Sequence, residues 1–104
     1  MTAQRVQGAV AAYLLLGLAW AAAYAFVAAL APGAFATARP ESTHSRSYLY
    51  FSFVTLTTLG YGDITPVHHA ARSLAMLEAL TGQLYPAILI ARLVTLHTQH
   101  DAKR

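Results

Sequence analysis

The stretch Thr57-Thr58-Leu59-Gly60-Tyr61-Gly62-Asp63 decides the fold of this chain. Two glycines flank one tyrosine, two threonines precede them, and an acidic residue follows. Gly60 and Gly62 have no side chain, so the backbone there can adopt conformations that other residues avoid. Glycine at alternate positions therefore allows carbonyl groups at alternating positions to point in one direction. A row of carbonyl oxygens that faces a common axis can replace the water shell of a bare cation.

The composition favours a membrane protein. Of the 104 residues, 57% are hydrophobic and only 11% are charged, whereas soluble domains carry roughly 25% charged residues. A chain of this length accommodates one small domain. The net charge is +3, but the seven Lys and Arg residues are scattered, so we expect no nucleic-acid partner. The absence of cysteine excludes a disulfide framework.

Two apolar segments are each long enough to cross a bilayer. No charged residue occurs from Val10 to Leu30, and Arg72 and Arg92 bracket a second segment of similar length. As a helix, each extends roughly 30 Å, which is the thickness of the hydrocarbon core. We predict an outer helix over 6–31, an inner helix over 68–97 and a polar tail over 98–104.

The region between the outer helix and the next apolar segment is polar. Pro32-Gly33 ends the outer helix, because proline cannot continue the hydrogen-bond ladder. We predict an exposed, irregular turret over 32–46. Two spans place both termini on one side of the membrane, and the basic residues near the termini favour the cytoplasm. We therefore expect a multi-pass protein of the plasma or inner membrane, with the lipid bilayer as a partner.

A third apolar segment, over 47–57, is too short to cross a bilayer. Runs of 10–14 apolar residues are typical of re-entrant or buried segments, and an amphipathic surface helix is the alternative. A half-helix ending at Thr57 would direct its negative carbonyl end into the membrane, where it favours a cation. The irregular loop that follows is tolerated at that depth only if it lines water or is buried in protein. Several copies of the loop around one axis would meet both conditions.

Thr58-Leu59-Gly60-Tyr61-Gly62-Asp63 resembles the selectivity filter of potassium channels, with Leu59 where valine is usual. The order of outer helix, turret, pore helix, filter and inner helix resembles the two-transmembrane potassium-channel pores of bacterial type. This resemblance implies an all-α membrane protein with two transmembrane helices, a re-entrant pore helix and a filter loop over 58–63. It also implies that four subunits surround one pore.

The resemblance further implies where potassium binds and which residues support the filter. K+ is expected at the carbonyls of Thr58, Leu59, Gly60 and Tyr61, with the Thr58 hydroxyl, and Gly62 is expected at the outer end. The supporting residues surround the filter: Tyr50, Phe51, Val54, Thr55, Thr57, Asp63 and Glu78.

The pore helix departs from the family pattern at three positions. Tyr50 and Phe51 stand where many relatives carry two tryptophans. We expect the Tyr50 hydroxyl to bond Asp63, whereas Phe51 offers no donor to the Tyr61 hydroxyl, so Thr55 is the expected partner of Tyr61. Val54 stands where some members carry glutamate. No carboxylate pair with Asp63 is therefore expected.

Glu78 is the one ionisable residue between Arg72 and Arg92. An acid inside a span is costly and indicates a function. One hypothesis is contact with the back of the pore helix or the filter threonines, including contact in the protonated form. The alternative is a purely structural bond to Thr81 or Tyr85.

The inner helix also carries candidate gating residues. Gly82 is either a hinge or a site of close packing, and Gln83 is expected to face the wet cavity under the filter. Pro86 removes one helix hydrogen bond and predicts a bend. Ile90 is the first residue of a series spaced four positions apart. This spacing predicts that the series shares one inner face of the helix and narrows the pore. The His68-His69 pair is either solvated or sensitive to external pH.

These observations predict a homotetrameric potassium channel subunit that conducts K+ passively and needs no cofactor beyond the permeant ion. The alternatives are a non-selective monovalent cation channel and a non-conducting membrane assembly subunit. An enzyme is not expected, because Glu78 and Asp63 are isolated from any nucleophile–base pair.

Overall fold

A computed structural model describes residues 3–37 and 45–102. The order of elements is α1 (Ala3–Leu30), β1 (Phe35–Thr37), α2 (Ser45–Leu56), β2 (Ile64–Pro66) and α3 (His69–Ala102). The protein is mostly helical, and α1 and the His69–Leu96 part of α3 are long and apolar enough to cross a membrane. The predicted architecture of two long apolar helices and one short apolar helix before the filter is confirmed.

The helix boundaries differ from the predicted ones by a few residues. The outer helix begins at Ala3 rather than residue 6, and the pore helix begins at Ser45 rather than residue 47. The inner helix continues through Ala102, so most of the predicted tail is helical. No glycine or proline follows Pro86, so the sequence contains none of the residues that most strongly end a helix.

The predicted irregular turret contains a short strand instead. Strand β1 pairs antiparallel with β2, and the register places Phe35 opposite Pro66 and Thr37 opposite Ile64. The Ala34 carbonyl extends this link by accepting bonds from the N–H groups of Val67 at 2.7 Å and His68 at 3.2 Å. The chain leaving the filter is therefore tied to the chain leaving α1. Turret residues 38–44 lie outside the described residues, as do tail residues 103–104.

An aromatic cluster joins the elements behind the filter. Tyr24 of α1 and Phe51 of α2 are buried and meet edge to face, with ring centroids 4.9 Å apart. The Phe35 ring of β1 packs edge to face on both, at 5.7 Å from Tyr24 and 5.3 Å from Phe51. Each such pair contributes about 0.5–1.5 kcal/mol beyond its area burial. The cluster fixes α2 against the outer helix.

Candidate functional site

The backbone φ angle alternates in sign along the filter. The φ angles of Thr58, Gly60 and Gly62 are +61°, +59° and +86°, whereas Leu59 and Tyr61 between them have no positive φ. Glycine adopts this region freely, but a β-branched threonine there is a marked outlier. The glycine positions carry a sequence cue for this conformation. Thr58 carries no such sequence cue, and its positive φ was not predicted.

Backbone hydrogen bonds set the direction of the filter carbonyls. The N–H groups of Leu59 and Gly60 both donate to the Val54 carbonyl, at 2.9 and 3.4 Å. In a planar trans peptide, the carbonyl of the preceding residue points opposite to the N–H group, and none of the described peptide bonds is cis. The carbonyls of Thr58 and Leu59 therefore point away from α2. These two successive carbonyls point in the same direction, and the directions of the remaining filter carbonyls stay predictions.

The C-terminus of α2 leads directly into the filter. The helix ends at Leu56, and two further turns follow, with the N–H of Thr57 on Phe53 O and that of Thr58 on Thr55 O, both at 3.0 Å. The Thr57 hydroxyl also donates to Phe53 O at 2.6 Å. The negative end of the helix dipole therefore lies at the base of the filter, where it favours a cation.

The filter has an uncovered face. All residues from Thr57 to Asp63 are exposed in the single chain, including two large side chains, Leu59 at 59% and Tyr61 at 67%. Among the described residues no hydrogen bond joins Tyr61 to Thr55, so that predicted pair is not formed within one chain. Phe51 is buried in the aromatic cluster and supports α2 by packing.

Asp63 lies at the outer end of the filter and contacts two groups. Its Oδ1 accepts a bond from the N–H of Ile64 at 3.1 Å. Desolvation raises the pKa of the Tyr50 hydroxyl, and its hydrogen bond with Asp63 raises that pKa further. The structure thus brings Tyr50 and Asp63 together. Val54, another predicted supporting residue, acts on the filter through its backbone carbonyl rather than its side chain.

Glu78 is fully buried at the junction of the three helices. Its Oε1 accepts a hydrogen bond from the Tyr24 hydroxyl of α1 at 2.7 Å. Its Oε2 lies 2.6 Å from Ser52 Oγ of α2, and the same Oγ lies 2.6 Å from the carbonyl oxygen of Gly17. The hypothesis of contact with the back of the pore helix therefore agrees with the structure, whereas the filter threonines are not involved.

The alternative partners of Glu78 are bonded elsewhere. The Thr81 hydroxyl donates to Leu77 O of its own helix at 2.8 Å. The Tyr85 hydroxyl donates to Ala9 O of α1 at 2.8 Å. Of the two alternatives for Glu78, the structural bond to Thr81 or Tyr85 is therefore not the one found. Ser52 and Tyr24 were missed, because nothing in the sequence spacing links α1 and α2 to an acid on α3.

The candidate gating residues occupy different environments. Gly82 packs against the end of α2, where a Cβ atom would stand 1.7 Å from Leu56 O. The Tyr13 hydroxyl lies beside the same contact, 3.1 Å from Leu56 O and 3.2 Å from Gly82 O. Gln83 and Ile90 are exposed in the single chain, and Pro86 lies inside α3. The geometry supports close packing at Gly82, and the roles of the other residues stay predictions.

The histidine pair lies at the start of α3. His68 Nδ1 accepts a hydrogen bond from the N–H of Ala70 at 3.2 Å, and His69 is the first residue of the helix. Such a bond satisfies one of the free N–H groups at a helix start. His68 therefore caps the helix.

The sequence profile of a family described as "Ion channel" matches residues 12–99. The chain belongs to the ion channel family. The predicted membership in the two-transmembrane potassium-channel pore family is confirmed, and the match together with two apolar helices identifies the chain as a membrane protein.

The chain is also similar to three curated proteins. It is 38% identical over 84 residues to Two pore potassium channel c of Oryza sativa subsp. japonica, covering 81% of this chain and 17% of that protein. It is 46% identical over 46 residues to Protein LctB of Bacillus caldotenax, covering 44% of this chain and 34% of that protein. Two-pore potassium channel 1 of Arabidopsis thaliana is 43% identical over 44 residues, covering 42% of this chain and 12% of that protein. The chain spans about a third or less of the length of these relatives.

Proposed function

We propose that the chain is one subunit of a homotetrameric, potassium-selective channel that conducts K+ passively across the cell membrane. The observation that carries this proposal is the filter backbone, in which φ is positive at every second residue and the carbonyls of Thr58 and Leu59 point away from α2. In the proposed pore, K+ binds the carbonyls of Thr58, Leu59, Gly60 and Tyr61 and the Thr58 hydroxyl. Gly62 forms the outer end.

Assembly follows from the one-sided placement of these oxygens. A dehydrated cation needs oxygen ligands all around it, and a single filter strand supplies only one wall. The exposed side chains of Leu59 and Tyr61 are then covered by neighbouring copies, with Thr55 of an adjacent copy available to the Tyr61 hydroxyl. Four copies around one axis give each ion a full shell.

Conduction requires ions to enter and to leave. Carbonyl oxygens that substitute for hydration water lower the cost of entry, and repulsion between ions in adjacent sites drives exit. The C-terminal end of α2 adds a favourable field at the inner mouth. No covalent chemistry is involved, and K+ is the transported ion. Two spans place both termini on the cytoplasmic side in this proposal.

The test is ion flux through the purified chain in liposomes, with K+ and Na+ compared under equal gradients. K+ flux well above Na+ flux supports the proposal. Equal fluxes favour a non-selective cation channel, and a tetramer without flux favours a non-conducting assembly subunit. Gly60→Ala is expected to abolish selective flux, because its φ of +59° strains any side chain.

The matched control is Gly33→Ala. Gly33 has a similarly positive φ of +82° and open space around it, but it lies outside the filter, between α1 and β1. The substitution therefore introduces comparable backbone strain without touching an ion site. Retained selectivity in Gly33→Ala, together with its loss in Gly60→Ala, assigns the effect to the filter.

A further inference from the structure

The short oxygen–oxygen contacts around Glu78 outnumber the protons that would be available to bridge them if Glu78 were ionised. Three short O···O contacts form a chain from Tyr24 Oη to Glu78 Oε1, from Glu78 Oε2 to Ser52 Oγ, and from Ser52 Oγ to Gly17 O. Their lengths of 2.6–2.7 Å are those of O–H···O hydrogen bonds. Each therefore requires a proton between its two oxygens.

Only two of these protons come from hydroxyl groups. Tyr24 supplies one and Ser52 supplies one, since a hydroxyl has a single O–H donor, and the Gly17 carbonyl can only accept. With Glu78 ionised, one contact would hold two unprotonated oxygens at 2.6 Å. A proton on the Glu78 carboxyl completes the set: Oε2–H donates to Ser52, Ser52 donates to Gly17, and Tyr24 donates to Oε1.

The surroundings agree with a neutral acid. Glu78 is fully buried. From α1 it is faced by Tyr24 and, at longer range, by Tyr13, and from α2 by Ser52, all of them neutral hydroxyl groups. A buried carboxylate without a cationic partner is strongly disfavoured. Every buried side-chain oxygen or nitrogen of the described residues has a hydrogen-bond partner.

We propose that Glu78 is a neutral carboxylic acid whose proton latches the pore helix α2 to α1 and α3, and that it is a positioning residue for the filter. Ser52 precedes Val54 by two positions on α2, and the Val54 carbonyl holds the N–H groups of Leu59 and Gly60. The Tyr24–Glu78–Ser52 contact, here called the latch, therefore fixes the rotation of α2. This helix carries the Val54 carbonyl that sets the direction of the filter carbonyls. The functional part of this inference rests on the proposed conduction of K+.

Three variants test the latch. Glu78→Gln keeps a neutral group, with an N–H donor for Ser52 and an oxygen for Tyr24, so K+ flux within about twofold of the parent chain is expected. Glu78→Ala removes the donor and the acceptor, and loss of both flux and tetramer stability is expected. Thr81→Val is the control, because it deletes a hydroxyl on the same helix whose hydrogen bond, within the described part of the chain, goes to Leu77 O.

Infrared spectroscopy reads the proton directly. The parent chain at neutral pH is expected to show the C=O stretch of a protonated carboxylic acid, which disappears in Glu78→Gln and persists in Thr81→Val. Loss of a carboxylate band in Glu78→Gln, with no acid band in the parent chain, would overturn the proposal. So would a Glu78→Gln variant as damaged in tetramer stability as Glu78→Ala. Both readouts need no conduction, so a parent chain that passes no K+ refutes the proposed function and leaves the protonation test intact.

Discussion

Gly82 of α3 lies against Leu56 at the end of the pore helix, so closely that a Cβ atom on Gly82 would stand 1.7 Å from the Leu56 carbonyl oxygen. The obstructing atom is backbone, which cannot rotate aside as a side chain can. The Tyr13 hydroxyl lies within 3.2 Å of both carbonyls at this contact. The inner helix, the outer helix and the end of α2 therefore meet at Leu56, two positions before the filter begins.

Gly82→Ala is expected to destabilise the protein, because α3 must move away from α2 to admit the methyl group. Overpacking of this kind costs about 1–3 kcal/mol. Thermal unfolding in detergent measures the effect. Gly8→Ala is the control, since Gly8 is also helical but has open space around it, and it should be neutral or stabilising. Unchanged stability in Gly82→Ala with altered channel opening would instead favour a hinge.

Tyr24→Phe is expected to lower the free energy of unfolding by about 1–3 kcal/mol, because it leaves Glu78 Oε1 buried without its donor. The ring and its contacts with Phe35 and Phe51 are retained, so the loss reports the hydroxyl alone. Tyr48→Phe serves as the comparison, since among the described residues the Tyr48 hydroxyl makes no hydrogen bond while its ring packs on Phe35. Equal effects of the two substitutions would contradict the assignment.

Tyr50 is expected to titrate above the ordinary tyrosine pKa of 10.0, because partial desolvation and the bond with Asp63 both raise its pKa. The folded state therefore favours the protonated hydroxyl. Its contribution to stability is present below the ordinary pKa and is lost as pH rises through the raised value. Ultraviolet titration of tyrosinate, with Tyr50→Phe identifying the band, measures this. Asp63→Asn should lower the pKa of Tyr50, and an unchanged titration would show that the two groups do not interact.

The sequence predicted the parts of the filter that depend on local chemistry. Gly60 and Gly62 carry their conformational freedom in their residue type, and both adopt positive φ. The two long apolar helices were predictable because bilayer thickness fixes a minimum uncharged length. Glu78 was recognisable from the sequence as unusual, because it is an acid within an apolar span. Of the two environments proposed for it, contact with the back of the pore helix is the one observed.

The parts that sequence reasoning missed depend on distant pairs or on backbone atoms. Tyr24 and Glu78 are separated by 54 positions, and no local pattern links them. Val54 acts through its carbonyl, which every residue type possesses. Strand β1 has only three residues, too few for an alternating pattern, and it forms because β2 is brought alongside it.

The central claim is that filter carbonyls coordinate K+, and isotope-edited infrared spectroscopy of one carbonyl tests it most directly. Carbon-13 placed at the Leu59 carbonyl by peptide ligation isolates its stretching band, and the same label at Leu18 of α1 serves as the control. Exchange of Na+ for K+ is expected to shift the Leu59 band and leave the Leu18 band unchanged. A Leu59 band that is identical in K+ and Na+ would contradict the proposal that this carbonyl binds potassium.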